Sequence, residues 1–313
     1  MQDPEISIIM PVFNGSAFLN DSIGSILNQS FTDFELIIVN DGSTDNSASI
    51  ISGFQKDDPR IIFINRPDNK KLPYTLNEAL SIAKGKYIAI MDCDDISYPN
   101  RLEIQYRFLE ENKDISIIGC GYQVFNEQGA FLTVYNPSGC INLAYKFLSN
   151  SYFCHPTVMF RRNVIEKSGL YEDHEAEDFC FFSKILRNYK GTNLQVVLLK
   201  YRENPANRSI SSHDPIEKSA EQIYSDNYFY YTGFRFFADR FYAFHKYNRA
   251  NVFLLPLLLF LSFLILNRIR KNYNYPFFSK EFLSNAHKPF SVFIKGKSRS
   301  MVRKLKEIYF HGF

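Results

Sequence analysis

The chain has 313 residues, of which 45% are hydrophobic and 22% are charged, and its formal net charge is +3. These proportions are those of a folded protein and exclude a wholly disordered or collagen-like chain. Residues 1–234 hold 21 Lys and Arg against 30 Asp and Glu, whereas residues 235–313 hold 15 against 3. An acidic body with a basic tail indicates two regions with different roles.

The first hundred residues alternate between apolar runs of strand length and segments whose apolar residues have helical spacing. Strands are predicted at Ile6–Val12, Glu35–Val39, Arg60–Ile64 and Lys86–Met91, with helices over 17–29, 46–55 and 74–84. Gly85 is expected to end the third helix as a left-handed cap residue. Because parallel neighbours need a crossover, the alternation predicts an α/β fold with a mostly parallel sheet flanked by helices.

The pattern from 115 to 215 is more mixed. Strands are predicted at Ile115–Gly119, Tyr122–Phe125, Phe131–Tyr135, Cys154–Phe160 and Leu194–Tyr201, and helices start near Pro99 and at Glu177. From about residue 216 the composition changes to aromatic, then apolar, then basic. We therefore predict a domain over 1–215 and a helical, aromatic and basic extension over 216–313.

Two acidic clusters follow predicted strands. Asp92-Cys93-Asp94-Asp95 comes after the fourth strand, and Asn40-Asp41-Gly42-Ser43-Thr44-Asp45 after the second. Ligands of open parallel sheets sit at the carboxyl ends of the strands, so we treat both clusters as one site. Carboxylates this close favour a divalent cation, and hard oxygen ligands select Mg²⁺ or Mn²⁺. The alternatives are that Asp94 and Asp95 cap the next helix and that residues 41–45 form an ordinary turn.

Glu177 and Asp178 open a predicted helix. A carboxylate there could act as a general base, or both could simply complement the helix macrodipole. His155 is interpreted as a packed polar residue, and His174 and His213 as solvated ones. The five cysteines, at 93, 120, 140, 154 and 180, show no Cys-x-x-Cys pair or zinc spacing, which favours free thiols in a reducing compartment.

Taken in order, these motifs resemble the family 2 inverting glycosyltransferases with the GT-A fold, over about residues 4–212. The likeness is carried by Ile6–Asn14, Asn40–Asp45, Lys84–Ala89, Asp92–Asp95, Pro99–Glu103, His155–Arg161 and Glu177-Asp178. It implies transfer of a sugar from a nucleotide-diphosphate sugar, with a nucleotide-binding half over about 1–100 and an acceptor half over about 101–215.

The resemblance also implies roles for single residues. On the donor side, Pro11 and Phe13 would line the base pocket, and Asp41 would bind the base or ribose. Lys71 would reach the base or phosphates, Asp92 would face the ribose or the metal, and Asp94 would bind Mg²⁺ or Mn²⁺. Asp178 would be the base that deprotonates the acceptor hydroxyl, with His155 and Glu177 on the acceptor side.

Three departures from the family pattern stand out. Leu76 precedes Asn77 where many relatives have Arg, and Asn204 stands where many have a metal-site His. The chain has no Trp, so the Gln-x-x-Arg-Trp motif of processive members is absent. This absence favours the addition of one sugar per event.

The tail suggests a membrane surface. Val252–Leu266 is shorter than the ~20 apolar residues that span a bilayer, so we expect a hydrophobic hairpin or an in-plane helix. Basic residues would face anionic lipid, namely Arg268, Arg270, Lys271, Lys297, Arg299, Arg303, Lys304 and Lys306. The alternative is a soluble arm that packs on the catalytic domain or on a second subunit. Nucleic acid is not an expected partner.

The expected protein is thus a non-processive glycosyltransferase that adds sugars to a glycan or lipid-linked glycan in bacterial surface polysaccharide synthesis. Because the N-terminus lacks the basic and apolar regions of a signal peptide, we expect the protein to be associated peripherally with the cytoplasmic face of the inner membrane. A homo-oligomer is a further expected partner. Two alternatives remain: a non-catalytic paralogue that binds nucleotide sugars, and a membrane-docked scaffold that acts through its tail.

Overall fold

The structure, a computed structural model, describes residues 3–203, 213–247 and 255–276. They fall into two compact units that divide after Ile223. The strands of the first unit are β1 (Ile6–Val12), β2 (Phe34–Asp41), β3 (Ile61–Arg66), β4 (Tyr87–Ile90), β5 (Ile96–Ser97), β6 (Ile115–Asn126), β7 (Gly129–Val134), β8 (Met159–Arg161) and β9 (Lys190–Arg202). They form one sheet in the order β3-β2-β1-β4-β8-β6-β9-β5, with β7 paired to β6.

The helices follow the same chain order. They are α1 (Leu19–Leu27), α2 (Ser47–Asp57), α3 (Leu72–Ile82), α4 (Arg101–Glu111), α5 (Cys140–Lys146), α6 (Ile165–Ser168), α7 (Glu177–Asn188), α8 (His213–Thr232), α9 (Ala238–Tyr247) and α10 (Leu255–Asn272).

The first half of the sheet confirms the predicted parallel arrangement. Strand β1 pairs in parallel with β2 and β4, and β2 pairs in parallel with β3. The side chains of β1, β2 and β4 are almost all buried, as expected for strands covered by helices on both faces. In this register Val12 lies opposite Asn40 and Ile9 opposite Ile90, so the ends of β1, β2 and β4 lie at one edge.

The second half of the sheet is mixed. Strand β8 pairs antiparallel with β4 and β6, while β9 runs parallel to β6. The two strands predicted over 115–125 are one continuous strand, β6. The strand predicted at Cys154–Phe160 was wrong in its first part, where His155–Thr157 form a 3-10 turn. Pro156 explains the difference, because its fixed φ suits the first turn of a helix and it has no N–H for a strand ladder.

Gly85 was wrongly predicted as a left-handed cap. Helix α3 ends at Ile82, and Gly85 is not among the glycines with positive φ. Its N–H donates to Ser7 Oγ at 2.7 Å, and a Cβ at this position would lie 2.3 Å from the backbone nitrogen of Ser7. Glycine is therefore required here because two backbones approach closely, not because of a turn.

The second unit is helical and aromatic where it is described. Tyr224, Tyr228 and Phe241 are buried, and the ring of Tyr224 lies 4.7 Å from that of Tyr242. Residues 255–272 form a single helix, so the hairpin alternative does not hold for this segment. None of the described helices is long and apolar enough to cross a bilayer. The expectations for Asn204 and for the basic residues from Lys297 to Lys306 concern positions outside the described residues.

Candidate functional site

The turn after β1 is tied to the loop after β2. Asn14 N–H donates to Ser43 Oγ at 2.9 Å, and Asn14 Oδ1 accepts from Thr44 N–H at 2.9 Å. Although burial raises the pKa of Asp45, hydrogen bonds from Ser47 and Ser16 lower it to about 2. Asp45 is thus an anchor that stays ionised and fixes the two loops against each other.

Beside this anchor, Pro11 and Phe13 come from the end of β1. Pro11 is half-buried, whereas 52% of Phe13 is exposed. An exposed aromatic ring held on a fixed turn can provide a flat apolar surface for a planar ligand.

Asp41, at the end of β2, is buried and bound on two sides. Its Oδ1 accepts from Lys70 N–H at 2.8 Å and lies 3.0 Å from the guanidinium of Arg66. Arg66, at the end of β3, was not predicted as a site residue because no local motif marks it. The exposed Lys71 follows Lys70 with a φ of 70°, directly before α3. The loop that carries Lys71 therefore folds back over Asp41.

Asp92 and Asp94 are half-buried after β4, and Asp95 is fully buried. Asp95 Oδ1 accepts from Arg202 N–H at 2.7 Å, whereas its Oδ2 is buried without a hydrogen-bond partner in the described part of the chain. Burial and the charges of Asp92 and Asp94 raise the pKa of Asp95 well above its ordinary value. The interpretation of Asp94 and Asp95 as helix caps was wrong, since Asn100 precedes α4 and makes no side-chain cap.

Arg202 holds this acidic loop from the end of β9. Its Nε donates to the carbonyl oxygen of Asp94 at 2.7 Å, and its guanidinium lies over the rings of Phe18 and Phe125 at 4.7 and 4.5 Å. In the sequence, Arg202 stands two residues before Asn204, the position where many relatives have a metal-site His. Its role as a support for the acidic loop depends on pairing across the sheet.

His155 connects the acidic loop to the start of α7. Its Nδ1 lies 3.7 Å from Asp92 Oδ1, and its Nε2 lies 3.1 Å from the hydroxyl of Tyr171. Burial lowers the pKa of His155, but the carboxylates of Asp92, Asp178 and Glu177 together raise it above its ordinary value. His155 is therefore a half-buried ring that contacts Asp92 and feels the charges of Asp178 and Glu177.

Tyr171 packs beside His155. It is buried and stacks on Phe181 of α7 at 4.1 Å between ring centroids. Burial raises the pKa of Tyr171 well above its ordinary value, and the charges of Asp178, Glu177 and Asp92 act in the same direction. Glu177 is buried and Asp178 half-buried, so Asp178 is the more accessible of these two carboxylates.

The geometry brings together most of the predicted site residues. Asp92 and Asp178 both act on His155 and Tyr171, and the loops of Phe13 and Asp41 lie at the same edge of the sheet. The acidic loop fits a divalent cation, because it offers oxygen ligands and the buried Asp95 Oδ2 has no partner in the described part of the chain. Asp178 can accept a proton.

Two proteins named as glycosyltransferases have sequences similar to that of this chain. A glycosyltransferase of Methanocaldococcus jannaschii is 36% identical over 213 residues, which cover 64% of this chain and 72% of that protein. The O-antigen biosynthesis glycosyltransferase WbnJ of Escherichia coli is 37% identical over 204 residues, covering 63% of this chain and 79% of that protein.

Solved structures have a similar fold. Staphylococcus aureus TarS 1–349 in complex with UDP-GlcNAc aligns with a TM-score of 0.57 at 16% identity, covering 94% of this chain and 93% of that one. The mannosyltransferase PcManGT of Pyrobaculum calidifontis, in complex with GDP-Man and Mn²⁺, aligns with a TM-score of 0.56 at 16% identity, covering 98% and 80%. The model of the glycosyl transferase family 2 matches residues 7–169. With this match and these relatives, the chain belongs to glycosyl transferase family 2 and is a glycosyltransferase with the GT-A fold.

Proposed function

We propose that this enzyme transfers a sugar from a nucleotide-diphosphate sugar to a hydroxyl of a glycan or lipid-linked glycan, with inversion, in cell-surface polysaccharide synthesis. The donor class is supported by TarS and PcManGT, which were solved with UDP-GlcNAc and GDP-Man. The setting is supported by WbnJ, whose name assigns it to O-antigen biosynthesis. The absence of Trp supports one sugar per event, and residues 1–215 would form the catalytic domain.

The donor nucleotide would bind at the ends of β1 and β2. The exposed ring of Phe13 and the half-buried Pro11 would contact the base. Asp41 already accepts from Lys70 N–H and pairs with Arg66 through Oδ1, so its second oxygen is the acceptor for a base N–H or a ribose hydroxyl. Lys71, on the same loop, would contact the base or the phosphates.

Asp94, with Asp92, would hold the metal. Carboxylate oxygens select Mg²⁺ or Mn²⁺, and PcManGT was solved with Mn²⁺. Such an ion would supply positive charge beside the diphosphate leaving group. Arg202 fixes the backbone of this loop, so that Asp92 and Asp94 are held in place before the donor binds.

Asp178 would be the general base. It would take the proton of the acceptor hydroxyl while the acceptor oxygen forms a bond to the anomeric carbon and the bond to the diphosphate breaks. Attack from the face opposite the diphosphate inverts the configuration without a covalent enzyme intermediate. The observation that carries this proposal is that the carboxylates of Asp92 and Asp178 act electrostatically on the same two side chains, His155 and Tyr171, which contact each other. His155 and Glu177 would shape the acceptor side.

The test is the Asp178→Asn variant. We expect sugar transfer to fall by about 10²–10⁴-fold, because the amide cannot take the proton, while donor affinity stays close to that of the wild type. The matched control is Asp173→Asn, a change at an exposed aspartate five positions earlier. Transfer at the wild-type rate by a folded Asp178→Asn enzyme would remove Asp178 as the base. Metal-dependent donor binding by the wild type without any transfer to glycan acceptors would favour the non-catalytic paralogue.

We also propose that the second unit associates peripherally with the cytoplasmic face of the membrane. Five large aromatic side chains of this unit are exposed by 40–77%, namely Phe229, Phe236, Phe237, Phe260 and Phe263. Helix α10 ends with Arg268, Arg270 and Lys271, which suits an interface between apolar lipid and anionic headgroups.

A further inference from the structure

A second cluster of potential metal ligands lies outside the proposed donor site. It consists of Glu172 and His174, in the loop before α7, and Cys180, in the second turn of α7. Cys180 is buried, His174 is half-buried and Glu172 is exposed. His174, which we expected to be solvated, is half-buried, and its Nε2 lies 3.4 Å from Glu172 Oε2.

The distances between these side chains match those between ligands of one metal ion. Cys180 Sγ lies 3.7 Å from Glu172 Oε2, and the three ligand atoms all lie within 4.8 Å of one another. Zinc bonds of about 2.0–2.3 Å in tetrahedral geometry place neighbouring ligand atoms roughly 3.4–3.6 Å apart. Two of the three ligand pairs therefore already have nearly the required separation, and the third lies within 4.8 Å.

The surroundings of the cluster also favour a metal. His174 Nδ1 lies 3.5 Å from Ser219 Oγ of α8, so an Nδ1–H can donate to the hydroxyl and leave the Nε2 lone pair facing Glu172. A partner of this kind on the far nitrogen is typical of metal-bound histidines. Lys184 donates to Glu172 Oε1, which leaves Oε2 as the oxygen nearest His174 and Cys180.

We propose that Glu172, His174 and Cys180 form a site for a thiophilic divalent cation such as Zn²⁺, with water as the fourth ligand. A sulfur and an imidazole ligand distinguish it from the all-oxygen acidic loop, which suits Mg²⁺ or Mn²⁺. On binding, the Cys180 thiol releases its proton to solvent and the metal–sulfur bond takes its place.

The consequence of this site would be local stabilisation. A metal held by residues 172, 174 and 180 would clamp the loop before α7 to the helix that begins with Glu177 and Asp178. Through Ser219 it would also fix the first half of α8. The site would thus act on the structure around Asp178 without contacting the substrate.

The test is a titration of the full chain with Co²⁺, followed by absorbance. We expect about one equivalent of Co²⁺ to give a thiolate-to-cobalt charge-transfer band together with visible bands of tetrahedral cobalt, and Zn²⁺ to displace it. Cys180→Ser should abolish the charge-transfer band, and His174→Ala should weaken Co²⁺ binding at least 10-fold. Ser219→Ala should weaken it by about 10–100-fold, as is usual for a partner of a metal-bound histidine.

Two controls separate this site from others. Cys140→Ser changes another buried cysteine near the start of a helix and should leave the band unchanged. Asp94→Ala, which alters the acidic loop, should also leave it unchanged, so failure of the donor site and failure of this site are distinguishable. An absent thiolate band, or one that persists in folded Cys180→Ser protein, would overturn the proposal.

Discussion

Gly85 and Gly53 differ in the space that an added Cβ atom would find. A Cβ at Gly85 would lie 2.3 Å from Ser7 N and 2.7 Å from the carbonyl carbon of Ile6. A Cβ at Gly53, in α2, would meet nothing within 4 Å. The sequence suggests a helix cap for Gly85 because glycine after a helix usually has that role, and only the position of β1 beside it reveals the backbone approach.

We expect Gly85→Ala to lower the free energy of unfolding by about 1–3 kcal/mol, because backbone rather than a mobile side chain must move. Gly53→Ala should raise it by about 0.5–1 kcal/mol, because alanine is the better helix former. Urea denaturation of both variants measures the two effects. Equal effects of the same sign would contradict the role given to Gly85.

The candidate site residues also differ in whether the sequence alone could identify them. Asp41, Asp92, Asp94 and Asp178 stand in recognisable motifs, so the sequence could single them out. Arg66 and Tyr171 could not be found in this way, because each meets its partner only through the fold. The catalytic and binding roles of all these residues stay predictions until variants are measured.

At the scale of elements, the acidic loop after β4 depends on β9, a strand about a hundred residues further along the chain. The backbone N–H of Arg202 donates a hydrogen bond to the Asp95 carboxylate. The Arg202 guanidinium donates to the carbonyl oxygen of Asp94 and lies over two aromatic rings. Alternating strands and helices made the parallel half of the sheet predictable. The pairing of β9 with β6 and β5 was not, since no local pattern specifies which distant strands pair.

We expect Arg202→Lys to lower the free energy of unfolding by about 1–3 kcal/mol, since an ammonium group cannot keep both the planar stacking and the Nε hydrogen bond. Arg107→Lys is the control, because the Arg107 side chain is 70% exposed and pairs with Glu103 across one helical turn. That change should stay within about 0.5 kcal/mol. Chemical denaturation compares them, and an unchanged Arg202→Lys protein would show that the loop is held by other contacts.

For the whole molecule, charge is divided between an acidic region over 1–234 and a basic one over 235–313. The proposed membrane association predicts that the full chain floats with vesicles containing anionic lipid and less well with neutral ones. Phe236→Ser combined with Phe260→Ser should reduce binding several-fold, because both rings are more than half exposed. Phe131→Ser, an exposed phenylalanine of the first unit, should not. Equal losses, or no binding to any vesicle, would favour a soluble arm.

The proposed donor site is tested most directly by calorimetric titration of UDP and GDP, each with and without Mn²⁺. The proteins compared are the wild type, Asp94→Ala and the control Asp57→Ala, which changes an exposed aspartate at the end of α2. We predict that one nucleotide binds only with Mn²⁺, that Asp94→Ala loses this binding and that Asp57→Ala keeps it. Metal-independent binding, or binding that Asp94→Ala retains in full, would contradict a metal-assisted donor site at the end of β4.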